Sequence, residues 1–133
     1  MTPDIEAIFL DVGNTLRIVL EDPEFQQQAK DDLMALVNSM ETPEVFFEKL
    51  EKRWKAYRSL SKKSLLEASE MELWTQWLLP DYPIDIVAPN VSHLTRLWRD
   101  RDGKRVPRED AKETIVELHR RGYQLGIIAN TIT

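Results

Sequence analysis

An unbroken apolar run, Ala7-Ile8-Phe9-Leu10, ends abruptly at Asp11. A short run without polar alternation is typical of a strand that is covered on both faces, as in a parallel sheet. A second such run, residues 125–129, lies near the other end of the sequence. We therefore expect strands at residues 5–10 and 124–129 that lie side by side and parallel, joined by a right-handed crossover.

Apolar residues recur at helical spacing between these two runs, over residues 22–103. Thr42-Pro43 supplies a helix cap and a first-turn proline, Ser64 is the expected cap of a third helix, and Pro89 limits the start of a fourth. The first apolar stripe comprises Phe25, Ala29, Leu33, Leu36, Val37 and Met40, and Leu66 is expected to face inward on the third helix. Four amphipathic helices with short connections would form a small bundle.

The last part of the sequence predicts one more helix before the second apolar run. Pro107 is expected to open it, residues 109–121 to form it, and Gly122 to end it. The predicted fold is therefore α/β, a partial Rossmann-like parallel sheet with an inserted four-helix bundle. Residues 1–16 and 104–133 would form the partial α/β core, and residues 17–103 the helical domain.

Composition excludes several classes of protein. The 133 residues carry a formal net charge of -5, which argues against a general nucleic-acid-binding surface. The absence of cysteine excludes disulfides and thiolate metal sites. The N-terminal residues do not resemble a signal peptide, and no apolar run approaches the ~20 residues that span a bilayer. We expect a cytoplasmic protein with no nucleic-acid or membrane partner.

Asp11 is the leading candidate for chemistry, because open α/β sheets bind ligands at the carboxyl ends of their strands. Taken alone, an aspartate after a strand is more often a turn residue. Its context, residues 8–16 with the sequence IFLDVGNTL, resembles motif I of the haloacid dehalogenase-like (HAD) hydrolases. Residues 122–131, GYQLGIIANT, resemble the region of motif II, and the helical insert is similar to the cap of that family.

The resemblance implies that Asp11 is a nucleophile and a Mg²⁺ ligand, with the backbone carbonyl of Gly13 as a second ligand. Thr15 is a candidate for phosphate binding and for a hydrogen bond near Asp11, with a turn-ending role as the equal alternative. Asn130 and Thr131 are the candidate phosphate donors after the second strand. The expected activity is that of a magnesium-dependent phosphatase that forms an aspartyl-phosphate. A dehalogenase-type hydrolase and a non-catalytic module that binds a ligand or partner are the alternatives, and the substrate would be a small phosphorylated or halogenated molecule.

Two positions depart from the family pattern. Gly13 stands where its phosphatases have a general acid, and Ala129 stands where motif II has serine or threonine. The lysine of motif III and the acidic pair of motif IV would lie beyond Thr133. We therefore expect this chain to be a truncated and inactive form of a longer enzyme, with possible self-association through the edges of its two-stranded sheet.

Other conspicuous residues are assigned structural roles. His93 and His119 lack ligand-spaced partners. Four tryptophans fall on apolar stripes, which favours the bundle core over a substrate pocket: Trp54, Trp74, Trp77 and Trp98. The acidic pairs Asp31-Asp32 and Glu109-Asp110 are interpreted as solvated faces of helices.

Overall fold

The computed structural model describes residues 4–129 and has a mixed α/β fold. Its strands are β1 (Ala7–Leu10), β2 (Arg17–Leu20), β3 (Lys104–Pro107) and β4 (Gln124–Ile127). Its helices are α1 (Pro23–Leu36), α2 (Pro43–Ser64), α3 (Glu70–Glu72, continued as a π-helix over Leu73–Leu78), α4 (Ile84–Val87, continued as a 3₁₀ turn over Ala88–Asn90), α5 (Val91–Asp100) and α6 (Ala111–Arg120). No helix within these residues is both long enough and apolar enough to cross a membrane.

The predicted parallel pairing is confirmed. β1 and β4 are hydrogen-bonded neighbours in a register that runs from Ala7 opposite Gln124 to Leu10 opposite Ile127. The amide of Gln124 donates to the Glu6 carbonyl at 2.8 Å, one residue before β1 begins. α6 lies between the two strands in the chain, and Gly122 follows it with a φ of +92°, the left-handed conformation expected at a helix C-terminus.

The expectation that both faces of these strands are covered is wrong for the described residues. Phe9 and Ile127 are about two-thirds exposed, at 64% and 65%, whereas Ile8 and Leu10 are half-buried. One helix, α6, packs against β4, and a single helix can cover only one face of a sheet. The Phe9 ring lies over Gly126, where a Cβ would come within 2.7 Å of two ring carbons.

An antiparallel pair, β2 with β3, was not predicted. Its register runs from Arg17 opposite Pro107 to Leu20 opposite Lys104. Pro107 therefore ends a strand instead of opening a helix, and α6 begins at Ala111. Proline is tolerated there because a strand end needs no further ladder donor. The described residues thus contain four strands, where the sequence predicted two.

Contacts divide the chain into two compact units. Residues 4–22 and 103–129 belong to an α/β unit, and Pro23–Asp102 forms a helical unit. The sequence placed the first boundary after residue 16 and the second after residue 103. The difference follows from the β2–β3 pairing, which places residues 17–20 in the α/β unit.

The helical unit is built around a continuous apolar core. Trp74 is fully buried and Trp98 nearly so, and the Trp74 Nε1–H donates to Thr95 Oγ1 at 2.9 Å. Trp54 and Trp77 are half-buried against the same core, so the core interpretation of the tryptophans is confirmed. The remaining buried apolar residues of the core are Ala29, Leu33, Val37, Phe46, Leu50, Tyr57, Leu73, Leu78, Leu79, Val87, Leu94 and Leu97.

Local details of two helices differ from the prediction. α2 continues through Ser64 and ends at Leu65, which has a φ of 58°. The cap of the next helix is Ser69, whose hydroxyl accepts from the Glu72 amide at 3.2 Å. Leu66 therefore lies in the connection and is 73% exposed, and Met40, which follows the end of α1, is 97% exposed.

A charged network joins α2 to the turns at residues 39–41 and 78–82. Lys49 Nζ lies 2.7 Å from the Glu41 carboxylate and 2.8 Å from that of Asp81. Arg53 donates to Asp81 at 2.7 Å and to the Leu78 carbonyl at 2.8 Å. These bonds attach two connecting segments to one face of α2.

Tyr82 extends this network to the first turn. Its hydroxyl donates to Glu41 at 2.6 Å, so the 2.6 Å contact with Ser39 must use the serine proton. Burial of Tyr82 and its bond to Glu41 raise the pKa of the phenol. It therefore stays protonated and keeps its donor role.

The carboxylate of Asp81 titrates well below its usual range. Partial burial works to raise the pKa of Asp81, but hydrogen bonds from Arg53 and Lys49 outweigh it and bring the pKa to about 2. Because the folded pKa is lower than the ordinary value of 3.8, ionised Asp81 stabilises the fold above that value. This contribution is lost as the pH falls from about 4 toward 2.

We predict that Asp81→Asn lowers the free energy of unfolding at pH 7 by about 1 kcal/mol, a reduced figure because the side chain is 42% exposed and screened by solvent. The difference between variant and wild type should shrink as the pH falls toward 2. Urea unfolding at several pH values measures both effects. Glu48→Gln is the control. It also removes one carboxylate, from an exposed ion pair with Lys52 within α2, and should change the free energy of unfolding little. An equal loss at all pH values would contradict the prediction.

Candidate functional site

Asp11 lies directly after the carboxyl end of β1 and is exposed. Leu10 is opposite Ile127, and the Ile128 amide donates to the Leu10 carbonyl at 3.0 Å, so the end of β4 lies beside it. Ala129 follows at this edge of the sheet. Asn130 and Thr131, the other predicted phosphate contacts, lie outside the described residues.

The chain after Asp11 folds into a tight loop around one carbonyl group. The Val12 carbonyl accepts from the amides of Thr15, Leu16 and Arg17 at 3.3, 3.1 and 3.0 Å. Asn14 has a φ of 61°, a left-handed conformation that asparagine adopts more readily than most residues. The loop therefore turns back on itself, and Thr15 comes close to Asp11.

Thr15 lies beside Asp11 in this loop. Its hydroxyl donates to Asp11 Oδ2 at 3.4 Å. This distance is longer than the ~2.5–2.7 Å of a strong hydroxyl–carboxylate bond. The hydroxyl therefore orients the carboxylate weakly and leaves most of its acceptor capacity open.

Nothing in the local geometry requires a glycine at position 13. A Cβ there would meet no heavy atom within 4 Å, and Gly13 is not among the residues with positive φ. It forms an isolated bridge with Arg17, and it is exposed. The missing side chain therefore leaves open space two residues from Asp11.

The magnesium ligands that the resemblance implies are the Asp11 carboxylate and the Gly13 carbonyl. Within residues 4–129 no group of three or more histidine, cysteine, aspartate or glutamate side chains is placed to hold a metal. Residues 11–20 contain one carboxylate, that of Asp11. Mg²⁺ requires near-octahedral oxygen ligation, so Asp11 and a backbone carbonyl would leave most positions to water.

The remaining acidic pairs have ordinary surroundings. Asp31 and Asp32 are exposed on α1 and accept from Gln27 and Gln28 one turn earlier. Glu109-Asp110 lies in the turn before α6, not on the helix, because α6 begins at Ala111.

Arg17, the first residue of β2, was not predicted to belong to the site. It is the only charged residue in residues 12–20, and this isolation was the available signal. Its backbone closes the loop: its amide donates to Val12, and its carbonyl accepts from the Asn14 amide at 2.7 Å. A cation thus stands at the end of the loop that Asp11 begins.

Comparisons of this chain with protein-family models, with curated proteins and with solved structures find no match.

We predict that Mg²⁺ binds this chain weakly, because the described residues offer one carboxylate at the site. Calorimetric titration should give no tight isotherm, and Asp11→Ala should remove the little heat that is specific to the site. A tight isotherm that is lost in Asp11→Ala would contradict this and would mean that other groups complete the coordination.

Proposed function

We propose that Asp11 is the nucleophile of a HAD-like hydrolase, of the kind that hydrolyses small phosphate esters with magnesium through an aspartyl-phosphate. The observation that carries the proposal is the position of Asp11. Its carboxylate stands at the carboxyl end of a parallel strand, in a loop folded so that the Thr15 hydroxyl donates to it at 3.4 Å. The resemblance of residues 8–16 and 122–131 to motifs I and II supports the same function.

The reaction needs an accessible carboxylate, and Asp11 is exposed. One carboxylate oxygen attacks phosphorus and the P–O bond to the leaving group breaks. The leaving oxygen departs as an anion and takes its proton from water, because Gly13 supplies none. Water then attacks the acyl phosphate, which returns the carboxylate and releases inorganic phosphate. Magnesium would supply charge neutralisation when bound. The Thr15 hydroxyl, 3.4 Å from the carboxylate, orients the nucleophile weakly.

Gly13 limits which substrates react. Loss of a general acid costs ~10²–10⁴-fold in rate for leaving groups that need a proton. An acyl phosphate or an aryl phosphate has a leaving group that departs without one. We therefore expect Asp11 to react with activated phosphate donors far faster than with alkyl phosphates.

A dehalogenase-type hydrolase is the second candidate, and Gly13 is the observation that favours it. Halide leaves carbon without protonation, so that chemistry does not need an acid at position 13. Halide release from a small 2-haloacid, lost in Asp11→Asn, would favour this candidate. Absence of both reactions would favour the non-catalytic alternative.

The test is covalent labelling of Asp11. We predict that incubation with acetyl phosphate and Mg²⁺ adds one phosphoryl group to the protein, detected by intact mass and mapped to the β1–β2 loop by peptide mass spectrometry. Asp11→Asn should abolish the adduct. Asp4→Asn removes an exposed carboxylate just before β1 and is the control, because it should be labelled like the wild type. Labelling elsewhere, or none, contradicts the proposal.

We also predict negligible turnover of unactivated phosphate esters by the 133-residue chain with magnesium present. The reasons are the missing acid at Gly13 and the missing hydroxyl at Ala129. Phosphate release from an alkyl phosphate measures this. Sustained turnover that Asp11→Asn abolishes would show that the chain is a complete enzyme, contrary to expectation.

A further inference from the structure

We propose that Arg17 binds the anionic group of the molecule that Asp11 attacks, so that the site selects substrates with a phosphoryl or carboxylate group. This inference rests on the proposed function and assigns a binding role to a side chain that the motif resemblance does not include. It follows from the position of Arg17 in the loop, from the lack of a hydrogen-bond acceptor for its buried Nε within residues 4–129, and from the charges of the loop.

The backbone of Arg17 is held against the loop that carries the nucleophile. Its amide lies 3.0 Å from the Val12 carbonyl, its carbonyl accepts from Asn14 at 2.7 Å, and it forms a bridge with Gly13. It is also the first residue of β2, where Pro107 is opposite. The hydrogen bonds to the loop and the pairing with Pro107 therefore restrain the backbone of Arg17 relative to Asp11.

The side chain of Arg17 has hydrogen-bonding capacity that the described residues leave unused. Its Nε is buried and has no hydrogen-bond acceptor among the described residues. None of the ion pairs found within residues 4–129 includes it, whereas Arg108 of the same unit pairs with Asp110 at 3.1 Å. A buried N–H without an acceptor is unfavourable, and it leaves the guanidinium without the neutralising partner that Arg108 has.

A second cation lies on the same face of the hairpin. Arg105 is opposite Val19, and alternate strand residues share a face, so Arg17 and Arg105 are diagonal neighbours. Arg105 has its own bonds, including one to the Gly103 carbonyl at 3.5 Å. Its Nε, like that of Arg17, is buried without an acceptor among the described residues, so both guanidinium groups add positive charge and donor capacity to this face.

The charge balance of the loop calls for such a group. A carboxylate nucleophile and an anionic substrate repel each other, and the hydroxyl that could bind phosphate after β4 is replaced by Ala129. A guanidinium forms two parallel hydrogen bonds to phosphoryl or carboxylate oxygens. Arg17 is the only cation within residues 12–20 that could do this.

The experiment is titration of the wild-type chain and of Arg17→Gln, Arg17→Lys and Arg108→Gln with inorganic phosphate, followed by amide chemical shifts. We expect Arg17→Gln to weaken phosphate binding about tenfold or more, as the loss of a charge-assisted pair implies. Arg17→Lys keeps the positive charge but loses the two parallel N–H donors of the guanidinium. Its affinity for phosphate should lie between those of the wild type and Arg17→Gln. Arg108→Gln removes the same charge from the same unit and should change binding less than threefold. Asp11→Asn should strengthen binding, because it removes a like charge.

Three other results would overturn the inference, and a fourth would separate it from the proposed function. Equal weakening by Arg17→Gln and Arg108→Gln would indicate nonspecific charge attraction, and no measurable binding to the wild type would remove the site altogether. A response to Arg17→Gln without any response to Asp11→Asn would place the anion away from the nucleophile. Failure of acetyl phosphate labelling with a normal phosphate titration would instead refute the nucleophilic role of Asp11 and leave the anion site intact.

Discussion

Parallel pairing of β1 with β4 is the constraint on which the α/β unit depends. Parallel neighbours cannot be joined by a tight turn, so the chain must leave at Leu10 and return before Gln124. A direct closure over that distance would lose much conformational entropy. The pairing of β2 with β3 shortens the loop that must be closed, because it brings Leu20 opposite Lys104. α6 then connects β3 to β4. The helical unit between them has its own core.

The elements whose signals are local could be predicted from sequence. β1, β4 and α6 were found because an unbroken apolar run or a helical stripe lies within each of them. β2 and β3 were missed because Arg17–Leu20 and Lys104–Pro107 carry charged residues and because each strand's partner lies far away in the sequence, beyond the helical unit. The wrong choice of Ser64 over Ser69 has a related cause. Both serines suit a helix cap, and packing decides where α2 ends.

The candidate site shows the same division. The position of Asp11 follows from the strand that precedes it, and the nearness of Thr15 follows from the turn residues between them. The convergence of three amides on the Val12 carbonyl is a local turn, whereas the pairing of Arg17 with Pro107 leaves no mark on the local sequence pattern. Backbone strain does not explain Gly13, because the space that its Cβ would occupy is empty. The effect of this glycine is chemical: position 13 of the loop lacks a proton donor.

The hairpin also has a consequence for how this architecture can vary. Gly103 adopts a φ of +147°, and a Cβ there would lie 2.7 Å from the Leu20 carbonyl oxygen, so the two backbones approach closely just where the helical unit begins and ends in sequence. Leu20 and Lys104 are thus the paired positions at which the chain leaves the α/β unit and returns to it, whatever self-folding insert lies between them. Exchange of residues 23–102 for a short turn, or for an unrelated bundle, would keep both strands in register. Evolution could therefore alter the insert freely while the loop of Asp11 keeps its shape.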